Sequence, residues 1–199
     1  MPTPAPYGSW KSPITTDLIV SGSIGLGEVA LDGEDIYWVE MRPAEGGRMV
    51  VVKRTPDGEI SDITPGPFSA RTRVHEYGGG AYLVHEGTVY FSNYSDQRMY
   101  RQDSGEAPEP ITPETDMRYA DGCFDAARNR VICVREDHTQ DGEPINAIVA
   151  VDALGKAEQV VLSQGSDFCS TPRISPDGST LAWLTWDHPN MPWDGTLLL

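Results

Sequence analysis

One pattern comes round four times in this chain, and it limits the fold more than any other feature. Residues 28–39 (EVALDGEDIYWV), 81–92 (AYLVHEGTVYFS), 123–134 (CFDAARNRVICV) and 173–184 (RISPDGSTLAWL) share one layout: a strand, a tight turn, and a second strand ending in bulky apolar residues. Aligned on the turn, Ile36, Val89, Val131 and Leu181 fall at equivalent places, 53, 42 and 50 residues apart. Recurrence at that period marks stacked copies of one supersecondary unit.

The turns account for the layout. Asp32-Gly33, Glu86-Gly87 and Asp177-Gly178 supply the glycine that a tight hairpin uses where φ is positive, and Arg128-Asn129 supplies the asparagine substitute. A third strand follows at 49–55 (MVVVKRT) and again at 147–153 (AIVAVDA). Closing stretches come at 62–66 (DITPG), 110–114 (PITPE) and 160–164 (VVLSQ). Four strands in each repeat of this length form the blade of a β-propeller. A β-sandwich also contains short strands and turns, but gives its hairpins no reason to repeat one internal pattern.

The expected fold is therefore all-β, an incomplete β-propeller of about four blades of four-stranded antiparallel sheet. The blades are expected at about 25–66, 77–114, 118–165 and 169–199, the fourth truncated. Three leucines at 197–199 make a poor natural end for a domain. Since propellers close with 4–8 blades, further blades are expected beyond Leu199. The 36 glycines and prolines, 20 and 16, are spread along the chain, and no window carries a helical apolar stripe. The segment 25–30 (GLGEVA) resembles a dinucleotide fingerprint but opens no helix, so it reads as a turn.

Net charge of −15 argues against nucleic acid, whose phosphates require clustered Lys and Arg. It suits a partner bearing a cationic amino terminus. Cys123, Cys133 and Cys169 form neither a CxxC nor a Cys/His cluster, so no metal or cofactor is expected. Neither a secretory leader nor an apolar run of membrane-spanning length is visible, and a cytoplasmic protein without membrane contact is expected.

Two segments could carry chemistry. In 71–81 (RTRVHEYGGGA), three glycines permit close backbone approach beside His75, Glu76 and Tyr77. Gly79 stands where an HExxH zinc helix needs its second histidine, and no helix start follows for phosphate. A blade junction with Glu76 and Arg73 pairing locally and a ligand contact both remain open. In 186–195 (WDHPNMPWDG), Trp186 and Trp193 flank His188 and two aspartates, a composition suited either to recognition or to packing against a neighbouring blade. The stretch 137–144 (DHTQDGEP) reads as a solvated hairpin tip. No serine lies in the GxSxG frame of an α/β-hydrolase elbow, so no catalytic residue is assigned.

The segments 6–14 (PYGSWKSPI), 71–82, 92–100 (SNYSDQRMY) and above all 175–196 (SPDGSTLAWLTWDHPNMPWDGT) resemble the propeller of prolyl oligopeptidase-family serine peptidases. The likeness is greatest to the bacterial aminopeptidase and acylaminoacyl-peptidase branch, which includes puromycin-hydrolysing enzymes. It extends over nearly the whole chain. The resemblance implies a cytoplasmic, two-domain hydrolase for short peptides or aminoacyl substrates, in which the propeller gates and positions substrate. The α/β-hydrolase domain bearing the triad is absent here and becomes an expected partner within the same polypeptide. A homo-oligomer is a further expectation. Glu76 leads the expected substrate contacts, followed by Asp187 and Trp193. The competing expectation is a propeller scaffold for protein–protein binding with no enzymatic activity, or a calcium-dependent propeller hydrolase.

Overall fold

The computed structural model describes residues 4–199 as four antiparallel sheets. Blade 1 contains β1 (Gly25–Asp32), β2 (Asp35–Arg42), β3 (Arg48–Arg54) and β4 (Ile60–Asp62). Blade 2 contains β5 (Tyr82–His85), β6 (Thr88–Ser92), β7 (Met99–Gln102) and β8 (Glu109–Pro110). Blade 3 contains β9 (Met117–Asp125), β10 (Arg130–Asp137), β11 (Ile145–Asp152) and β12 (Val160–Gln164). Blade 4 has three strands, β13 (Phe168–Ile174), β14 (Leu181–Trp186) and β15 (Leu197–Leu198). An exposed five-residue helix, Thr16–Val20, precedes them, its first turn capped by the Thr15 hydroxyl accepting from the Leu18 N–H at 3.1 Å.

Hairpin chemistry is as the sequence required. Gly33, Gly87 and Gly178 have φ of 60°, 79° and 70°, and Asn129 has 49°. The sheets then stack side by side, because the two middle blades each bury opposite faces against two neighbours. In β10, Val131 and Cys133 pack towards blade 2 with Tyr90 and Met99, while Ile132 and Val134 pack towards blade 4 with Cys169. A third cluster joins Tyr37, Val39 and Val51 of blade 1 to Val89 and Phe91 of blade 2. Two-residue alternation thus turns each strand into the filling of two interfaces. The arrangement is a propeller of four consecutive blades, with the first strands β1, β5, β9 and β13 in contact one with the next. On the free side of blade 1, Leu26, Val29 and Leu31 are exposed.

Residues 25–30 are not a turn but the start of β1. Its ladder slips between Gly27 and Ala30, and Glu28 adopts φ 50°, so the glycines serve a β-bulge rather than a reversal. The same irregularity recurs at Asp121 in β9 (φ 57°) and Thr171 in β13 (φ 51°). These bulges stitch the inner strands together. Glu28 Oε2 accepts from the Ala81 N–H at 2.8 Å, while Asp121 accepts from the N–H of Gly80 at 2.7 Å and of Thr171 at 3.0 Å. A Cβ at Gly79 or Gly80 would lie 3.0 or 3.1 Å from Asp121 Oδ1, which explains the glycines there.

Candidate functional site: an aromatic cavity between blades 3 and 4

The junction 71–80 shapes the site. Val74 is buried, the Arg73 N–H is held by Gln97 Oε1 at 2.7 Å, and the Gly78 N–H returns to the Val74 carbonyl at 2.8 Å. Between these anchors His75 and Glu76 both take left-handed backbone, φ 56° and 63°. Each such residue costs on the order of 1 kcal/mol, and residues held in this way are common at ligand-binding turns. The His75 N–H donates to Glu136 Oε1 at 2.6 Å, which fixes the turn from the neighbouring blade. Glu76 is thereby thrown outward, its side chain 78% exposed.

Arg118 meets Glu76 rather than Arg73 doing so. Its Nη1 donates to Glu76 Oε1 at 2.6 Å and to the Arg73 carbonyl at 2.9 Å, and lies 3.8 Å from Glu136 Oε2. The guanidinium holds the Glu76 carboxyl below the usual carboxylate range. Glu136, only 2% exposed, also takes a hydrogen bond from His138 Nε2 at 3.1 Å when that nitrogen carries a proton.

Glu76, Glu136 and His138 edge a cavity of about 450 Å³ whose walls come from blade 4 as much as from blade 3. Phe168 and Trp186 stack with centroids 5.4 Å apart at 13°, His75 stands edge-on to both at 5.7 and 5.4 Å, and His188 lies 4.8 Å from Phe168. Burial pushes the His75 pKa below its ordinary value, against the opposing pull of the Glu136 and Asp121 charges, and its Nε2 is buried without a hydrogen bond. An aromatic wall beside the carboxylates of Glu76, Glu136 and Glu143 favours a ligand with an apolar body and a cationic group.

Of the residues singled out in the sequence, Glu76 borders the cavity, Asp187 sits beside it and Trp193 lies outside its lining. Asp187 Oδ1 accepts from the Asp167 N–H at 2.7 Å, and Asp167 Oδ2 accepts from the His188 N–H at 2.9 Å and faces its ring nitrogen at 3.0 Å. This reciprocal clasp sets the position of the loop after β14. Trp193 is 77% exposed. The 137–144 stretch is more than a solvated tip, since His138, Glu143 and Pro144 line the cavity. Glu136 was not legible as a site residue: in β10 it reads as one polar position among several, and only the packing of blade 4 makes it a floor.

Among the described residues no serine or cysteine side chain hydrogen-bonds a histidine, and no group of three or more His, Cys, Asp or Glu converges as a metal site. Burial raises the thiol pKa of Cys123, Cys133 and Cys169, that of Cys169 to about 12, which suppresses the nucleophilic thiolate.

The fold matches part of a solved Mycobacterium tuberculosis puromycin-hydrolyzing peptidase, with TM-score 0.85 and 40% identity over 98% of this chain. The chain belongs to the prolyl oligopeptidase family. A puromycin hydrolase of that family gives TM-score 0.87 and 36% identity, again over 98% of this chain. The chain spans about a third of either relative, 32% in each case. TolB from Acinetobacter baumannii, at 15% identity, TM-score 0.59 and coverage of 84% of this chain and 39% of that one, shares the propeller fold alone. No protein-family model and no curated sequence matches the chain. No helix among the described residues is long and apolar enough to cross a membrane.

Proposed function

We infer that this chain is the propeller portion of a serine peptidase of the prolyl oligopeptidase family that cleaves short peptides or aminoacyl compounds, and that the cavity between blades 3 and 4 positions the substrate's cationic amino terminus. The observation that carries this is Glu76, a carboxylate paired with Arg118 yet 78% exposed at the rim of an aromatic-walled cavity. Glu76 buries almost none of its side chain, and its left-handed backbone turns the carboxylate out to the rim. Asp187 acts by fixing the loop that carries His188, and the exposed indole of Trp193 contributes an apolar contact to substrate.

The nucleophile belongs to an α/β-hydrolase domain of the same polypeptide, and the stacked blades restrict entry to short chains by sterics. Three unpaired cysteines suit a reducing cytoplasmic location. The test compares the full-length enzyme with its Glu76→Gln variant on free-amine and N-acetylated versions of one aminoacyl amide. Loss of one charged contact should lower kcat/KM about tenfold or more for the free amine and leave the acetylated compound unchanged. Equal effects on both compounds would remove the amine-binding role.

A further inference from the structure

On the opposite face of blade 3 a second cavity, about 650 Å³, opens between blades 2 and 3. Alternation along β10 puts it there: Glu136 faces blade 4 with Ile132 and Val134, whereas Arg135 shares the blade 2 face of Val131 and Cys133. Arg135, Arg98 and Lys156 line this cavity against the single carboxylate of Glu158, an excess of positive charge in a chain of net charge −15.

Arg135 is the unusual member. Its side chain is only 13% exposed, its Nε is buried without a partner, and among the described residues its sole carboxylate neighbour is Asp137 at 3.9 Å, beyond hydrogen-bond reach. A guanidinium has five donors in a fixed fork and loses much of its hydration when enclosed, so an enclosed one without acceptors is costly. Nearby, Arg98 spends Nε and Nη2 on the Thr112 carbonyl at 2.9 and 2.7 Å, leaving Nη1 available. Lys156, on the exposed turn between β11 and β12, makes no ion pair among the described residues. That turn is packed against blade 2: a Cβ at Gly155 would lie 2.8 Å from the Ile111 Cα, so the cavity wall is built rather than incidental.

We propose that this cavity binds a small organic polyanion, with Arg135 gripping one oxyanion group bidentately and Arg98 and Lys156 sharing the remaining charge. The volume exceeds that of a lone inorganic ion, which points to an anion with a carbon skeleton, a di- or tricarboxylate or a phosphate ester. Glu158 sets one negative charge against the three positive ones, so the net attraction grows with the number of oxyanion groups a ligand brings.

The experiment is titration calorimetry and thermal unfolding of the full-length enzyme with citrate, with glycerol phosphate and with acetate, at constant ionic strength. Saturable binding of citrate or glycerol phosphate, with a matching rise in Tm and none with acetate, is the expected result; which of the two binds assigns the carboxylate or the phosphate source. Lys156→Ala should weaken binding about tenfold, the effect of one lost charge-assisted hydrogen bond, and Arg135→Met, which removes both bonds of the bidentate grip, about a hundredfold. Lys156 is exposed, so its variant folds even if Arg135→Met does not. Failure of both anions to bind at millimolar concentration, or binding untouched by Lys156→Ala and Arg135→Met, overturns the proposal.

Discussion

Replacing Asp121 by asparagine isolates the bond between inner strands. Asp121 sits at a bulge with φ 57°, a conformation asparagine also tolerates, so the backbone is not strained by the change. What changes is the acceptor pair. Oδ1 takes the Gly80 N–H at 2.7 Å and Oδ2 the Thr171 N–H at 3.0 Å, tying blade 3 to blades 2 and 4 at once. An amide offers one acceptor only and would face its NH2 to the second N–H. Hydrogen bonds to a charged group are worth roughly 1.5–3 kcal/mol each, and a retained neutral one about 1 kcal/mol. Allowing for partial exposure of Asp121, the loss should be about 3 kcal/mol. For a chain of this size that lowers Tm by roughly 6–12 °C. Urea and thermal unfolding followed by tryptophan fluorescence would read it. A loss below about 0.5 kcal/mol, the range of ordinary surface changes, would show that the carboxylate does not couple the blades.

Other consequences follow from the same geometry. Gly155→Ala places a methyl group against the Ile111 backbone at φ +66° and should cost about 2–4 kcal/mol, read by the same unfolding assay. His75 has a folded pKa below 6.5 because burial disfavours its charged form, so the unfolded state binds the extra proton first. Its contribution is thus complete above about pH 6.5 and declines as the medium is acidified below it; a His75→Phe variant should lose that part of the stability slope. Trp193→Ala should leave unfolding unchanged within about 0.5 kcal/mol because the ring is exposed, while raising KM in the full-length enzyme. Asp187→Ala should raise KM as well, with kcat little altered, by releasing the Asp167–His188 clasp; an unchanged KM would mean that the loop holds its place without it.

The amino-acid order by itself determined the all-β class, the blade-like repeat and the family, since each is written in local, short-range signals. A glycine or asparagine at each hairpin tip fixes a reversal wherever it occurs, and apolar alternation fixes two buried faces per strand. The same local reading picked out the His75–Tyr77 junction and the loop beginning at Trp186, because unusual residue types stood close together. It misread residues 25–30, where glycines serve a bulge inside β1, since a bulge is defined by the partner strand and not by its own sequence.

Only the tertiary structure decided what those segments enclose. Glu136 and Arg135 are neighbours in sequence with nothing to mark either, yet strand alternation sends one beneath an aromatic cavity and the other into a basic one. Likewise Arg118, not Arg73, pairs with Glu76, over a separation of 42 residues. The physical reason is that charge and burial act through space: a residue's partners across a blade interface are set by how sheets stack, and stacking is not encoded within the span of any one motif.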